Sequence, residues 1–167
     1  MSLSIADVLR TVARLALAAV FLLSGALKVV EPAQTRIAVG AYELLPSDLV
    51  GSVATVLPLL ELALGTLLLA GAFTRWVALV SAMLLAALMF GVAQAWARGL
   101  SIDCGCFGGG GPVAEGDTRY PQEVARDAGM LLLALWLLVR PRTALSVDGW
   151  LHAGPDARPS HLDQPIA

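Results

Sequence analysis

The sequence predicts an all-α integral membrane protein, a four-helix bundle whose two cysteines sit on a loop between the third and fourth helices. Three observations lead there. Hydrophobic residues make up 57% of the 167-residue chain, and the mean hydropathy of +0.76 exceeds what a soluble core needs. The apolar residues fall into four long runs separated by polar or glycine-rich connections. Cys104 and Cys106, one residue apart, are the chain's only cysteines and lie in the longest of those connections. Charged residues are only 14%, and a net charge of -2 offers no basic field to attract nucleic acid. The expected surroundings are a lipid bilayer.

The first run is expected to span at residues 8–30. Arg10, Arg14 and Lys28 flank its apolar centre, and the run reaches the roughly 20 residues a bilayer needs if all three snorkel toward headgroups. A competing reading is a cleavable leader, because Ser24-Gly25-Ala26 follows a short apolar region preceded by basic residues. Glu31, Pro32, Arg36, Tyr42, Glu43, Pro46 and Asp48 then form a polar connection, with Pro32 read as a helix stop and Pro46-Ser47-Asp48 as the cap of the next helix.

The second span is expected at 49–72 and holds Pro58 and Glu61 near its middle. An ionisable group at that depth costs roughly 2.5 to 3.5 kcal/mol on insertion scales, so it should face the bundle interior. Ala54, Pro58, Glu61 and Gly65 share one face, which predicts close packing on a neighbouring helix. Glu61 is either a protonated, hydrogen-bonded carboxyl or a proton acceptor facing a small molecule. Lys28 reaches it only if the two helices are shifted along each other.

The third span is expected at 76–97, bracketed by Trp76 and Trp96 and narrowed by Ala78, Ser81, Ala82, Ala86 and Gly91, with Gln94 as polar packing. Arg98 and Gly99 end it. Pro121 starts a fourth span at 122–139, which Arg140-Pro141-Arg142 closes. The transmembrane domain is thus placed at 1–140. The proline-punctuated remainder, 141–167, lacks an amphipathic pattern and reads as a flexible cytoplasmic tail.

Four spans put both termini on one side. Arg10, Arg14, Arg75, Arg140, Arg142 and Arg158 lie on the terminal side and Lys28, Arg36, Arg98, Arg119 and Arg126 on the other, with the terminal-side arginines closer to the spans. This orients the termini to the cytoplasm and the cysteine loop to the extracytoplasmic face of a cell membrane, where a disulfide can persist.

Two sulfurs do not close a zinc site, and His152 and His161 are distant in the tail, so no metal is assigned. A dithiol on a glycine-flanked loop suits thiol-disulfide exchange, because an accessible thiolate can meet an incoming protein sulfur. Gly105 relieves strain in the small ring that a Cys-x-Cys disulfide makes. Arg98 and Arg126 would lower a thiol pKa and Asp103 would raise it, a sum that composition alone does not decide. The alternatives are a structural loop disulfide and a copper-binding pair assisted by Met83 or Met89. Hydrolysis is disfavoured by the lack of a nearby histidine.

Four strings carry a resemblance. They are Ser24-Gly25-Ala26-Leu27-Lys28, Tyr42-Glu43-Leu44-Leu45-Pro46, the run from Leu57 to Gly65, and Asp103-Cys104-Gly105-Cys106-Phe107-Gly108, the last being the most specific. Over residues 9–139 the chain resembles the MauE/DoxX-type family of redox-associated four-helix membrane proteins, and its MauE branch most. Family members often carry Arg-Asn where this chain has Arg126-Asp127. The resemblance implies extracytoplasmic thiol chemistry with a thioredoxin-like partner, as in maturation of methylamine dehydrogenase, and Cys104 and Cys106 as the exchanging pair. The residues expected to support that pair are Glu61, Lys28, Arg126 and Asp103. A quinone is the candidate electron carrier, and a larger membrane redox complex a candidate setting. The competing class is a nonenzymatic assembly factor or copper-handling protein.

Overall fold

A computed structural model of the chain describes residues 5–106, 108–141, 146 and 147. Phe107 and most of the expected tail, including Arg142, Arg158, His152 and His161, lie outside the described residues. The described residues form five helices: α1 (Ile5–Val30), α2 (Pro32–Ala41), α3 (Ser47–Ala70), α4 (Thr74–Ala97) and α5 (Tyr120–Val139). Two short strands, β1 (Ile102–Asp103) and β2 (Gly111–Pro112), pair antiparallel between α4 and α5.

Three helices, α1, α3 and α4, are long and apolar enough to cross a bilayer by length and composition. The fourth long helix, α5, is apolar from Met130 onward but carries Glu123, Arg126 and Asp127 in its first turns. Its 20 residues rise about 30 Å, enough for a hydrocarbon core.

The helices pack as two intimate pairs, α1 on α3 and α4 on α5, which meet along a thinner seam. Small residues allow the first pair to close. A β-carbon at Gly25 would fall 2.9 Å from the Pro58 carbonyl oxygen, and one at Gly65 would fall 3.0 Å from the Leu22 backbone nitrogen. The small-residue face of α3 therefore meets α1, as its spacing predicts. Leu17, Phe21, Leu64, Leu68, Val77, Leu85, Ala134 and Leu137 build the core where the two pairs join.

One expectation about the first connection is corrected. The segment after α1 is not only a polar connection but contains α2. Pro32 ends α1, and its fixed φ then suits the first turn of a new helix, where its missing N–H is not needed. Because α2 occupies the top of the bundle, α3 runs well past the end of α1: roughly 21 Å of helix separates Ser47 from Glu61, whereas Lys28 is half a turn from the end of α1. This offset brings Lys28 level with Glu61.

Two of the three basic groups of α1, Arg14 and Lys28, turn into the bundle rather than snorkel. Arg14 is 1% exposed and donates to the carbonyl oxygens of Leu68 at 2.6 Å and Leu69 at 3.0 Å, at the end of α3 where carbonyls lack helical partners. Lys28 is buried against Glu61. Arg10 pairs with Asp7 one turn earlier at 3.2 Å.

Candidate functional site

The cysteines occupy the turn that joins β1 to β2. Strand register pairs Ile102 with Pro112 and Asp103 with Gly111, so Cys104 and Gly110 are brought back side by side. Glycine is required at two places. Gly105 has φ +68° and Gly110 φ +91°, and their backbones touch: a β-carbon at Gly110 would lie 2.7 Å from the Gly105 α-carbon and 2.7 Å from the Ala38 side chain of α2. The glycine run thus lets the turn press flat beneath α2. Gln34 of α2 fixes the far side by donating to the Gly110 carbonyl at 2.6 Å.

Both thiols are free, with Cys104 buried and Cys106 half-buried. Their backbone is held from α1, from α5 and from Tyr42 just past the end of α2. The Tyr42 hydroxyl donates to the Cys104 carbonyl at 3.3 Å, the Cys104 N–H donates to Glu123 Oε1 at 3.5 Å, and the Ser24 hydroxyl donates to the Cys106 carbonyl at 2.7 Å. Tyr120, stacked on Trp96 at 6.1 Å between ring centroids, accepts the Ile102 N–H and donates to the Leu100 carbonyl at 2.6 Å. These bonds tie the strand entering the turn to α4 and α5.

A buried charge network lies directly beneath. Lys28 Nζ donates to Glu61 Oε1 at 2.5 Å and to Ser24 Oγ at 3.0 Å, and Ser24 Oγ also lies 3.2 Å from Glu61 Oε2. Thr35 of α2 donates to the Lys28 carbonyl at 3.0 Å. Ser24 therefore bridges a buried ion pair to the main chain of the cysteine turn. A small cavity of about 20 Å³ connects Glu61 and Ser24 with Cys106, Arg126 and Asp127.

Cys106 and Arg126 together favour a thiolate at Cys104. Its Nη2 lies 3.7 Å from Cys104 Sγ, and its Nε is 2.9 Å from Asp127 Oδ1. The Cys104 thiol is brought down to about 6, chiefly because the Cys106 thiol donates a hydrogen bond to its sulfur and further because of the Arg126 guanidinium, with burial opposing both. Cys106 is pushed well up by the same hydrogen bond and by its own burial. The balance left open by composition thus falls toward the Cys104 thiolate. Burial and the nearby cysteines raise the Tyr42 phenol, which keeps it a hydrogen-bond donor.

Of the residues expected at the site, Cys104, Cys106, Arg126, Lys28 and Glu61 come together. Asp103 joins them at the edge: one ligand atom each from Asp103, Cys104 and Glu123 lies within 4.8 Å of the others. Met83, one of the two methionines weighed beside a copper-binding pair, is exposed on α4. Arg98 is not at the sulfur; it pairs with Glu43 at 2.7 Å near the surface. Tyr42, Glu123 and Thr35 were not expected at the site. The first stands in the Tyr42-Glu43-Leu44-Leu45-Pro46 string, and Glu123 lies one turn before Arg126 on the same helix face, a spacing that puts both against one neighbour.

The cysteine turn separates two cavities. One, of about 360 Å³, is polar and bounded by Asp103, Arg119, Gln122, Glu123 and Arg126; the other, of about 330 Å³, is walled mostly by leucine, valine and alanine of α2, α3 and α4. Cys104, Gly105 and Cys106 line both.

Long apolar helices surrounding a dithiol turn define a membrane protein with a paired-cysteine site. The chain belongs to the MauE family: the family model described as methylamine utilisation protein MauE matches residues 6–140. That membership fits a membrane protein associated with methylamine utilisation, and supports the MauE side of the expected likeness; the DoxX side stays an expectation. Neither a curated protein nor a solved structure matches the chain.

Proposed function

We propose that this protein is a membrane component of extracytoplasmic thiol-disulfide transfer, in which the Cys104–Cys106 pair exchanges electrons with a thioredoxin-like protein. Maturation of a disulfide-containing enzyme, such as methylamine dehydrogenase, is the setting that the resemblance implies, and the family's description names methylamine utilisation. The observation that carries the reading is the placement of Arg126 Nη2 against Cys104 Sγ at the floor of the open polar cavity. A thiolate is the nucleophile in exchange, and a guanidinium at that distance favours it. Cys106, one residue away, keeps its proton and acts as the resolving thiol.

The step is a displacement. The Cys104 thiolate attacks one sulfur of the partner's disulfide, forming a mixed disulfide and releasing the partner's other sulfur as a thiolate. Cys106 then loses its proton and attacks Cys104, closing the intramolecular disulfide and releasing the reduced partner. Run in reverse, the same two displacements oxidise the partner. The polar cavity supplies space for the incoming chain, and Asp103, Glu123 and Arg126 supply its polar contacts. In this reading α5 is the fourth span, the termini are cytoplasmic, and the turn faces outward.

Serine replacements distinguish this role from a nonenzymatic assembly factor. Cys106→Ser should accumulate a mixed disulfide with a partner through Cys104, whereas Cys104→Ser should not. If neither variant traps a partner, and the double replacement leaves partner oxidation intact in cells, the exchange role is wrong. A membrane-impermeant thiol reagent should label the reduced turn from outside intact cells.

A further inference from the structure

A dithiol that oxidises partners repeatedly needs a two-electron acceptor, and the apolar cavity beside it is built for one of a particular kind. The cavity holds about 330 Å³, within the range of small-ligand pockets. It lies in the thin seam between the α1–α3 and α4–α5 pairs, roofed by α2 and closed at its inner end by Cys104, Gly105 and Cys106. Leu44, Leu45 and Ala87 line it and are exposed, so it opens sideways on the apolar flank of the bundle. Its polar groups are few and gathered near the cysteines: Lys28, Thr35 and Tyr42.

Lys28 supplies a second, independent indication. An ammonium has three hydrogens to donate. Among the described residues Lys28 directs two of them, to Glu61 Oε1 and Ser24 Oγ, and its side chain lines the cavity. A third donor of a buried ammonium at the polar end of an apolar chamber calls for a ligand acceptor, because a buried hydrogen left unpaired is costly.

We propose that this cavity binds the head group of a membrane quinone, with a ring carbonyl oxygen at Lys28 and the isoprenoid tail leaving past Leu44 and Leu45 into the bilayer. The proposal rests on the exchange reading above and names its electron acceptor. Counted from the dithiol, Cys104 and Cys106 lose two electrons and two protons as the sulfur-sulfur bond forms, and the quinone takes up both pairs to become a hydroquinone. The two cavities then divide the work, with protein disulfide chemistry on the polar side of the turn and quinone chemistry on the apolar side. A lipid acyl chain would fill the walls equally well but would leave the Lys28 donor unmet and accept no electrons.

Gly91 provides the test. A β-carbon there would meet the Tyr42 ring at 3.6 Å and the Leu44 side chain at 3.8 Å, ordinary contact distances, so larger side chains at this position grow into the cavity. Reduced protein in detergent is mixed anaerobically with decylubiquinone, whose fully substituted ring resists thiol addition, and separately with oxidised glutathione. Loss of quinone absorbance is followed alongside formation of the Cys104–Cys106 disulfide by mass spectrometry. The wild type should reduce one quinone per disulfide formed. In Gly91→Phe, the ratio of the quinone-driven rate to the glutathione-driven rate should fall by about tenfold or more. Ala87→Phe, at the exposed edge of the cavity, should lower the same ratio and serves if Gly91→Phe does not fold. A wild type oxidised by glutathione but not by decylubiquinone overturns the quinone site and leaves the exchange role standing. Oxidation by neither overturns both, and an unchanged ratio in folded cavity variants removes the site from this chamber.

Discussion

Arg14 and Lys28 are buried cations on the same face of the same helix, and the molecule uses them differently. Arg14, toward the end of the bundle far from the cysteines, donates to the carbonyls that end α3. A guanidinium presents a fork of donors, which suits a cluster of carbonyl oxygens. Lys28 instead meets a carboxylate and a hydroxyl, and the hydroxyl reaches the main chain of Cys106. One cation closes a helix end. The other connects the centre of the bundle to its reactive turn.

The contrast predicts a graded set of effects. The largest belongs to Glu61→Leu, which strands Lys28 as an uncompensated buried charge; it should destabilise the folded bundle by about 3 to 5 kcal/mol, read by denaturant unfolding in detergent micelles. The double variant Lys28→Met/Glu61→Leu should recover most of that loss, since an apolar pair removes the stranded charge. An equal or greater loss in the double variant would show that the charges do more than compensate each other.

Arg14→Met should cost about 1 to 3 kcal/mol by exposing the end of α3 to unmet hydrogen bonding, with no change in the alkylation rate of Cys104. A changed alkylation rate would couple the two ends of α1 and erase the contrast. Ser24→Ala should cost about 1 kcal/mol. Its signature is local: hydrogen exchange at the cysteine turn should quicken while the far end of α1 stays protected. Smallest is Glu43→Gln at the exposed pair with Arg98, expected to cost less than about 1 kcal/mol and to leave thiol chemistry unaltered.

How much of this was legible in the sequence differs between the same two regions. Helix existence followed from long apolar runs, because 20 or more apolar residues have few other folded options. Small residues at three- and four-residue spacing correctly marked the face of α3 that meets α1. Helix offset was not legible, because periodicity gives each helix a face but not a depth relative to its neighbour. That offset decided whether Lys28 could reach Glu61, and it depends on α2, whose ten residues are too short and too mixed to stand out. Arg14 looked like an interfacial residue because the Leu68 and Leu69 carbonyls that it meets leave no trace in side-chain pattern. The cysteine turn was conspicuous from its two sulfurs and glycines, whereas Tyr42 and Glu123 act on it from segments distant along the chain.

The central claim is that Cys104 is a thiolate near neutral pH because of Cys106 and Arg126, and the most direct test is site-resolved alkylation of the reduced protein by iodoacetamide as a function of pH. A lowered thiol value means that the reactive form exists above that value and is lost as pH falls through it. The account predicts that the Cys104 rate rises with a midpoint near 6 and that Cys106 reacts only at far higher pH. Arg126→Gln should move the Cys104 midpoint upward by about one unit or more. A Cys104 midpoint at the ordinary thiol value of about 8.5, unmoved by Arg126→Gln, would contradict the account.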